Sequence, residues 1–277
     1  MSDSVPIDSD GLANALQTIA DGSPLVQHLT NRVTMNDVAQ VTLHWGGLPV
    51  MADTPGDAEE MVHGASAVLL NIGTASPQEV ETMVAVGGAA NELGVPVVFD
   101  PVGVGATPTR DEYAETLLER VDFAAIKGNY GEVSALAGVE ADVAGVESVG
   151  EYDEIAATAR ALADSADTTV VASGVTDVVA TGEAAYELSV GHERMGSIVG
   201  TGCVLGATLA TFNAVIEDTF EAALCGTTAF GIAGERAAET EHDGPESYRV
   251  AFLDTIAGMT PETVREVTIA DQIDQVL

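Results

Sequence analysis

The sequence predicts an α/β protein built on a central, mostly parallel sheet. Short apolar runs rich in β-branched residues alternate along the chain with longer segments that have helical periodicity. The apolar runs are continuous, as expected for strands that are buried on both faces of a sheet. A strand, a helix and another strand in succession form the pattern of a parallel βαβ unit. We therefore predict a single α/β domain that spans residues 1–277.

The predicted elements follow in chain order. Apolar runs predict strands at Ala67–Ile72, Pro96–Phe99, Phe123–Ile126, Thr169–Ala172, Asp177–Thr181 and near Ala185–Val190. Helical patterns occupy Asn36–Trp45, Pro77–Leu93, Asp111–Arg120 and Glu151–Asp164. The last third changes character, because residues from Thr201 to about Ala238 predict two Ala-rich, close-packed helices. Gln272–Leu277 is expected to be a short final strand or a tail.

The chain is strongly acidic, with 44 Asp and Glu against 9 Lys and Arg, for a net charge of −35. So few cations argue against a nucleic acid partner and against binding to an anionic membrane. Disorder is not expected, because 46% of the residues are hydrophobic and supply a core. Repulsion between so many carboxylates is screened at molar salt, where the Debye length falls to about 3 Å. We therefore predict a protein adapted to a salty cytoplasm, as in halophiles.

The predicted location is cytoplasmic. Cys203 and Cys225 do not make a disulfide framework, and the acidic N-terminus lacks the basic and apolar pattern of a signal peptide. One uncharged stretch, Gly196–Ile216, resembles a membrane span in length. It opens with a glycine loop, however, which is typical of a buried helix in an α/β protein. We therefore expect no membrane-spanning segment.

Polar residues follow several of the predicted strands. In an open parallel sheet, ligands bind beyond the carboxyl ends of the strands. The polar residues at these ends are Asp100, Lys127, Asn129, Glu132 and Ser173. Since these strand ends share one edge of the sheet, the loops converge on one candidate site.

A glycine loop, Gly200-Thr201-Gly202-Cys203, opens the first helix of the last third. Glycines allow backbone N–H groups to approach a ligand, and a helix N-terminus favours negative charge. We therefore predict an anion hole formed by Gly200, Thr201 and Gly202, suited to a transferring phosphoryl group. Cys203 lies in the first turn, where the pKa of its thiol is expected to be lowered. From spacing alone, a buried structural cysteine is an equal alternative.

Asp100 and Glu132 are predicted to hold Mg²⁺, which typically takes one or two protein carboxylates together with substrate phosphates. Two other interpretations stay open at this point. Asp100 is also placed to cap a helix, and Glu132 is also explained as one of many solvated acids. The five histidines show no spacing of zinc ligands.

Several strings, taken together and in order, resemble the hydroxyethylthiazole kinases of thiamine salvage, which belong to the ribokinase-like superfamily. The resemblance covers about residues 12 to 265. The matching stretches are Pro24–Asn31, Leu70–Thr74, Gly94–Val98, Asp100–Thr107, Lys127–Asn129 with Glu132, and Gly200–Cys203. The resemblance implies a ribokinase-like three-layer αβα fold. It also implies transfer of the ATP γ-phosphate, with Mg²⁺, to the hydroxyl of 4-methyl-5-(2-hydroxyethyl)thiazole. Homotrimers with sites at the subunit interface are a further implication.

The resemblance also implies residue roles. They are substrate contacts at Asn31, Met35 and Gly200, nucleotide contacts at Lys127, Asn129 and Ser173, Mg²⁺–phosphate carboxylates at Asp100 and Glu132, and a catalytic position at Cys203. The chain departs from the family in four places, one of which is Asn36–Ala39, where a more apolar helix start is usual. Its single lysine, Lys127, stands where arginine is more frequent, and the acid that usually follows the glycine after position 173 is missing. Gln27-His28 replaces the usual His-Cys pair.

Two other functional classes are compatible with the sequence. The first is another ribokinase-like enzyme, either a hydroxymethylpyrimidine kinase or the nucleotide-dependent dehydratase of hydrated NADH. Those relatives typically carry Asp where this chain has Cys203. The second is a nucleotide-binding regulator that binds ATP without transferring its phosphate.

Overall fold

The computed structural model describes residues 6–139, 143–144, 147–148 and 154–277. Within these ranges nine strands form one sheet, in the order β11-β10-β9-β8-β5-β4-β3-β1-β2, and β6 and β7 form a separate pair. The strands are β1 Leu25–Leu29, β2 Leu48–Val50, β3 Ala67–Asn71, β4 Val97–Asp100, β5 Ala125–Asn129, β6 Val143–Ala144, β7 Glu147–Ser148, β8 Thr169–Ser173, β9 Asp177–Ala180, β10 Ala185–Leu188 and β11 Ile273–Gln275.

The α-helices of the same ranges alternate with the strands and then dominate the last third. They are α1 Ser9–Gly22, α2 Met35–Trp45, α3 Asp57–Met61, α4 Pro77–Leu93, α5 Pro108–Leu118, α6 Tyr130–Leu136, α7 Ile155–Ala166, α8 Thr201–Asn213, α9 Thr219–Ala238, α10 Pro245–Ala257 and α11 Pro261–Arg265. Within the described ranges, no helix is both long enough and apolar enough to cross a bilayer.

The sheet is mostly parallel, as predicted. Strands β2, β1, β3, β4, β5 and β8 are parallel neighbours. Strand β9 runs antiparallel to β8, because only three residues separate the two strands and a parallel crossover needs a dozen or more. Strands β10 and β11 continue the antiparallel pairing at this end of the sheet. The possible strand at the C-terminus is therefore present as β11.

Helices cover both faces of the sheet and give the predicted three-layer αβα arrangement. One apolar core lies under α1, α2, α8, α9 and α10, and a second core lies under α4, α5 and α7. The strands lie between the two cores, and β3 and β4 are fully buried. The prediction of a single domain over residues 1–277 stays a prediction.

The observed boundaries differ from the predicted ones mainly at the ends of elements. The helix predicted at Asp111–Arg120 begins three residues earlier, where Thr107 caps it and proline occupies its first turn. The predicted start of another helix, at residues 151–153, lies outside the described residues. Strands β1 and β2 were not predicted, because Gln27 and His28 interrupt the apolar run of β1 and β2 has only three residues.

Candidate functional site

The carboxyl ends of five neighbouring parallel strands form one continuous edge. Moving along it, β8 ends at Ser173, β5 at Asn129, β4 at Asp100 and β3 at Asn71, while Asn31 follows β1. Register pairs Asn71 with Asp100 and Asn129 with Ser173. The loops that were expected to converge therefore lie side by side on one edge.

Three charged side chains are buried at this edge. Among the Asp, Glu, Lys and Arg residues that the structure describes, three are buried. They are Asp100, Lys127 and Glu132, with exposed fractions of 0%, 3% and 3%. Burial of charge is costly unless the charges are paired. A buried cluster of opposite charges at strand ends indicates a functional site.

Asp100 accepts two contacts. Its Oδ2 accepts a 2.6 Å hydrogen bond from Asn71 Nδ2, and its Oδ1 lies 3.5 Å from Lys127 Nζ. Burial raises the pKa of Asp100 to about 6, although the charge of Lys127 acts in the opposite direction. Burial alone would lower the pKa of Lys127, but the nearby acidic groups outweigh it and raise that pKa. The amine is therefore charged. Asp100 does not cap a helix, so that alternative is wrong.

Glu132 is held by backbone groups from two loops. Its Oε1 accepts from Gly103 N at 2.7 Å and its Oε2 accepts from Asn129 N at 2.8 Å. In return, Asn129 Oδ1 accepts from Glu132 N at 2.9 Å, which completes a capping box at the start of α6. The interpretation of Glu132 as a solvated acid is wrong, because these contacts bury it between the loops after β4 and β5.

Cys203 lies at the other end of a chain of amides. Asn31 Nδ2 lies 3.3 Å from Cys203 Sγ and also donates to Asn71 Oδ1 at 3.1 Å, and Asn71 in turn donates to Asp100. The thiol does not have the lowered pKa expected from its helix position. Burial raises the pKa of Cys203, and the negative charge of Asp100 raises it further. Cys203 is therefore a neutral thiol at neutral pH.

Two glycines at the start of α8 lie close to other side chains. Gly200 has φ +90°, and a Cβ there would lie 2.2 Å from Thr34 Cγ2. A Cβ on Gly202 would lie 2.7 Å from Lys127 Nζ. The first turn of α8 therefore approaches the lysine closely, and its leading N–H groups lack intrahelical partners. Thr201 N is only weakly engaged, at 3.5 Å from Ile198 O. A cation beside the positive end of a helix favours an anion between them.

Met35 and Ser173 lie at the two ends of the edge. Met35 is the half-buried first residue of α2 and directly follows Thr34, the residue that packs against Gly200. Ser173 Oγ donates to Gly128 O at 3.3 Å, beside Lys127. The residues expected to contact the alcohol thus lie near α8, and those expected to contact the nucleotide lie near β5 and β8.

Sequence reasoning missed three residues of this site. Asn71 is a polar residue at the end of the buried strand β3, so the signal that indicates Asp100 at the end of β4 applies to it as well. Thr34 Oγ1 accepts from Asn31 Nδ2 at 2.9 Å, and no pattern in the sequence indicated it. Arg110 bonds the carbonyl oxygens of Val102 and Gly73. Because Lys and Arg are rare in this chain, an arginine just after the glycine loop is a sequence signal that could have indicated a residue of the site.

The buried carboxylates fit a magnesium ion shared with a nucleotide. The described residues contain no group of three His, Cys, Asp or Glu that could enclose a metal. Two carboxylates and one ammonium leave a local charge of about −1, and each carboxylate oxygen accepts one contact and keeps a second lone pair. Mg²⁺ commonly binds one or two carboxylates, retained waters and substrate phosphates.

Comparison with known proteins agrees with this fold. A solved ribokinase-like superfamily protein from Enterococcus faecalis superposes with a TM-score of 0.64 at 14% identity, covering 92% of this chain and 96% of its own. The fold is therefore that of the ribokinase-like α/β proteins.

Closer relatives give the family. The Hydroxyethylthiazole kinase family model matches residues 16–262. A hydroxyethylthiazole kinase from Natronomonas pharaonis is 56% identical over 251 residues, 90% of each chain. The structure of the hydroxyethylthiazole kinase protein from Pyrococcus horikoshii superposes with a TM-score of 0.85 at 35% identity, covering 96% of this chain and 99% of that one. The chain belongs to the hydroxyethylthiazole kinase family.

Proposed function

We propose that the protein transfers the γ-phosphate of ATP to the hydroxyl of 4-methyl-5-(2-hydroxyethyl)thiazole, as a kinase of thiamine salvage. Family membership and the buried cluster of Asp100, Lys127 and Glu132 beside the start of α8 support this function. The single observation that carries it is the approach of Lys127 to Gly202, because it places a cation and a helix N-terminus around one position for an anion.

Asp100 and Glu132 hold Mg²⁺ on the nucleotide phosphates, directly or through water. When bound, the ion offsets charge on the phosphate oxygens. The ammonium group of Lys127 contacts the phosphates electrostatically, as arginine does in relatives. It lacks the two parallel hydrogen-bond donors of a guanidinium group. Ser173 and Asn129 lie beside it on β8 and β5 and bind the nucleotide. The burial and the contacts of these residues support the roles that the family resemblance implies.

The transferring phosphoryl group lies against the N–H groups of Gly200, Thr201 and Gly202. The alcohol oxygen forms a bond to the γ-phosphorus, the bond to the bridging oxygen of ADP breaks, and the hydroxyl proton passes to water. Phosphoryl transfer passes through a loose transition state, so positioning and charge stabilisation dominate catalysis. Cys203, as a neutral thiol, orients the hydroxyl rather than acting as a thiolate base. Asn31 Nδ2 lies 3.3 Å from its sulfur and helps to hold the sulfur in place.

The thiazole ring lies between the start of α2 and the start of α8, where Asn31, Met35 and Gly200 line the approach to Cys203. Two exposed apolar side chains flank this position, since Val33 is 68% exposed and Val199 is 78% exposed. Both adjoin the contact between Thr34 and Gly200. Their exposure supports a homotrimer in which a second copy of the chain covers them and the sites lie at the interface. Light scattering in molar KCl tests this assembly.

The competing enzymes of the superfamily are less well supported, because the residue at the start of α8 is Cys203 and not Asp. The test of the proposed function is phosphorylation of the thiazole alcohol by the purified protein with ATP and Mg²⁺ in 2 M KCl. Hydroxymethylpyrimidine and hydrated NADH serve as competing substrates in the same assay. ATP binding without any product in all three assays would favour the regulator.

A further inference from the structure

Arg110 connects the loops after β3 and β4, whose glycines Gly73 and Gly103 contact Asn71 and Glu132 of the site. It is the third residue of α5 and is half-buried. Its Nη1 donates to Val102 O at 2.8 Å, in the loop after β4, and its Nη2 donates to Gly73 O at 3.1 Å, in the loop after β3. The planar guanidinium thus bridges two carbonyl oxygens from different loops.

The first of these bonds acts on Glu132 through one peptide unit. The C=O of Val102 and the N–H of Gly103 belong to the same planar trans peptide and point in opposite directions. Arg110 holds the oxygen, and the N–H donates to Glu132 Oε1 at 2.7 Å. Because the peptide is rigid, fixing its oxygen also fixes the direction in which its N–H meets Glu132.

The second bond acts on Asp100 through Gly73 and Asn71. Gly73 N donates to Asn71 Oδ1 at 3.0 Å, and Asn71 Nδ2 donates to Asp100 Oδ2 at 2.6 Å. Arg110 holds the carbonyl oxygen of the same Gly73. One guanidinium therefore supports both carboxylates, although it touches neither of them.

The contact with Gly103 is close enough to require glycine. Gly103 has φ +79°, and a Cβ there would lie 1.7 Å from Arg110 Nη1. Nothing bulkier than a hydrogen atom fits between this α-carbon and the guanidinium. The glycine and the arginine therefore form a matched pair within the chain.

We propose that Arg110 is a positioning residue for the Mg²⁺–nucleotide site, which it serves by orienting Glu132 through Gly103 and Asp100 through Gly73 and Asn71. The inference rests on the nucleotide and metal part of the proposed function and not on the identity of the acceptor alcohol. Residues that orient metal-binding side chains typically change metal affinity or activity by about 10- to 100-fold when they are replaced.

The test measures binding of a fluorescent, non-hydrolysable ATP analogue at increasing Mg²⁺ in 2 M KCl. In Arg110→Ala, the Mg²⁺ concentration at half-maximal binding is expected to rise about 10-fold or more. Arg110→Lys is expected to recover part of this loss, because one ammonium group reaches one carbonyl oxygen but not both. The matched control is Arg120→Ala, which removes an exposed arginine 3.5 Å from Glu81 and is expected to leave the Mg²⁺ midpoint unchanged.

A second pair of variants keeps the test independent of folding defects in Arg110→Ala. Gly103→Ala is expected to raise the Mg²⁺ midpoint in the natural chain, and to raise it less when Arg110 is alanine, since the clash is then removed. A midpoint within twofold of the natural value in Arg110→Ala, with only the melting temperature lowered, would overturn the proposal. Equal effects of Gly103→Ala in both backgrounds would overturn it as well.

Thiazole phosphorylation measured in parallel separates this inference from the proposed function. A natural chain that makes no product, while its Mg²⁺-dependent nucleotide binding is weakened by Arg110→Ala, rejects the acceptor and supports the positioning role. A natural chain that makes product, while Arg110→Ala changes neither the Mg²⁺ midpoint nor kcat, supports the kinase and rejects the positioning role.

Discussion

At the scale of single residues, two opposing effects act on the Cys203 thiol. The start of α8 favours a thiolate, whereas burial and the charge of Asp100 disfavour it. Burial and the charge of Asp100 outweigh the effect of the helix, because Cys203 is only 8% exposed and lies in a network that already contains a buried carboxylate. Sequence position alone therefore predicted the wrong direction for the pKa of Cys203. Cys203 lies in the first turn of α8, as the sequence predicted, and its catalytic role stays a prediction.

Replacement of Cys203 tests its role in positioning the alcohol. Cys203→Ala is expected to lower kcat for the thiazole alcohol by about 100-fold, the scale of misplacing a reacting group by about 1 Å. Cys225→Ala is the matched control, because Cys225 is a buried cysteine in α9, outside the site. Steady-state kinetics in 2 M KCl measures both. An unchanged kcat in Cys203→Ala would remove the thiol from the reaction.

His28 links stability to pH at the residue scale. Burial lowers the pKa of His28 to about 3, and its Nε2 lies 3.0 Å from Thr42 Oγ1. A folded-state pKa below the unfolded value of about 6.5 contributes stability above that pH and loses it as the pH falls. Asp100 and Asp177 act in the opposite direction, since burial raises the pKa of each to about 6. Stability from those two groups declines as the pH rises through about 6.

A histidine variant separates these contributions. When the pH falls from 7 to 5, the unfolding free energy of the natural chain is expected to drop by about 2 kcal/mol more than that of His28→Gln. The difference arises because the His28 contribution declines by about 1.4 kcal/mol for each pH unit below 6.5. Urea unfolding at the two pH values in 2 M KCl measures the difference. His63→Gln, which changes an exposed histidine, is the control. Parallel pH dependence in all three chains would contradict the assignment to His28.

At the scale of elements, the start of α8 depends on backbone that only glycine readily adopts. Gly200 has a left-handed conformation and packs against Thr34 at the start of α2. This contact sets the distance between the helix that supplies Cys203 and the helix that begins at Met35. A side chain at position 200 would separate the two helix starts.

Gly200→Ala is therefore expected to lower kcat by about 10-fold or more and to destabilise the fold by about 1–3 kcal/mol, from a strained backbone together with the clash against Thr34. Gly94→Ala is the matched control. Gly94 also has a positive φ, +70°, but a Cβ there would meet nothing within 4 Å. The control is expected to lose about 1 kcal/mol of stability and no activity. Equal effects on kcat in both variants would contradict the account of the contact.

The elements also show which parts of the fold could be predicted. The helix Pro77–Leu93 was predicted with its observed bounds, because proline follows the Ser76 cap and a positive-φ glycine, Gly94, ends it. Strand β1 was missed, because Gln27 and His28 are polar and their burial depends on partners distant in sequence. The strand-end rule located Asp100 and Lys127. The amides and the guanidinium that support them are visible only in three dimensions.

At the scale of the whole molecule, buried and exposed charge are separated. The chain has a net charge of −35, yet its single lysine is buried at the site and carboxylate burial in the described ranges is concentrated at Asp100 and Glu132. The other acids that the structure describes are at least partly exposed to solvent. Surface repulsion of this kind opposes the compact state and is reduced by salt.

Stability is therefore expected to depend strongly on ionic strength. Raising KCl from 0.15 M to 2 M is expected to increase the unfolding free energy, and each added kcal/mol raises Tm by about 2–4 °C for a chain of this size. NaCl at equal ionic strength is expected to act similarly, because screening depends on ionic strength. Differential scanning calorimetry measures both salts. A Tm that does not change with salt would contradict the prediction of halophilic adaptation.

The most direct test of the kinase function is the formation of thiazole phosphate by the natural chain in 2 M KCl with ATP and Mg²⁺, followed by mass spectrometry of the product. We expect stoichiometric conversion of the alcohol to its phosphate together with ADP, and loss of this product when ATP or Mg²⁺ is omitted. A folded protein that binds ATP with Mg²⁺ and leaves the thiazole alcohol unchanged would contradict the proposed function.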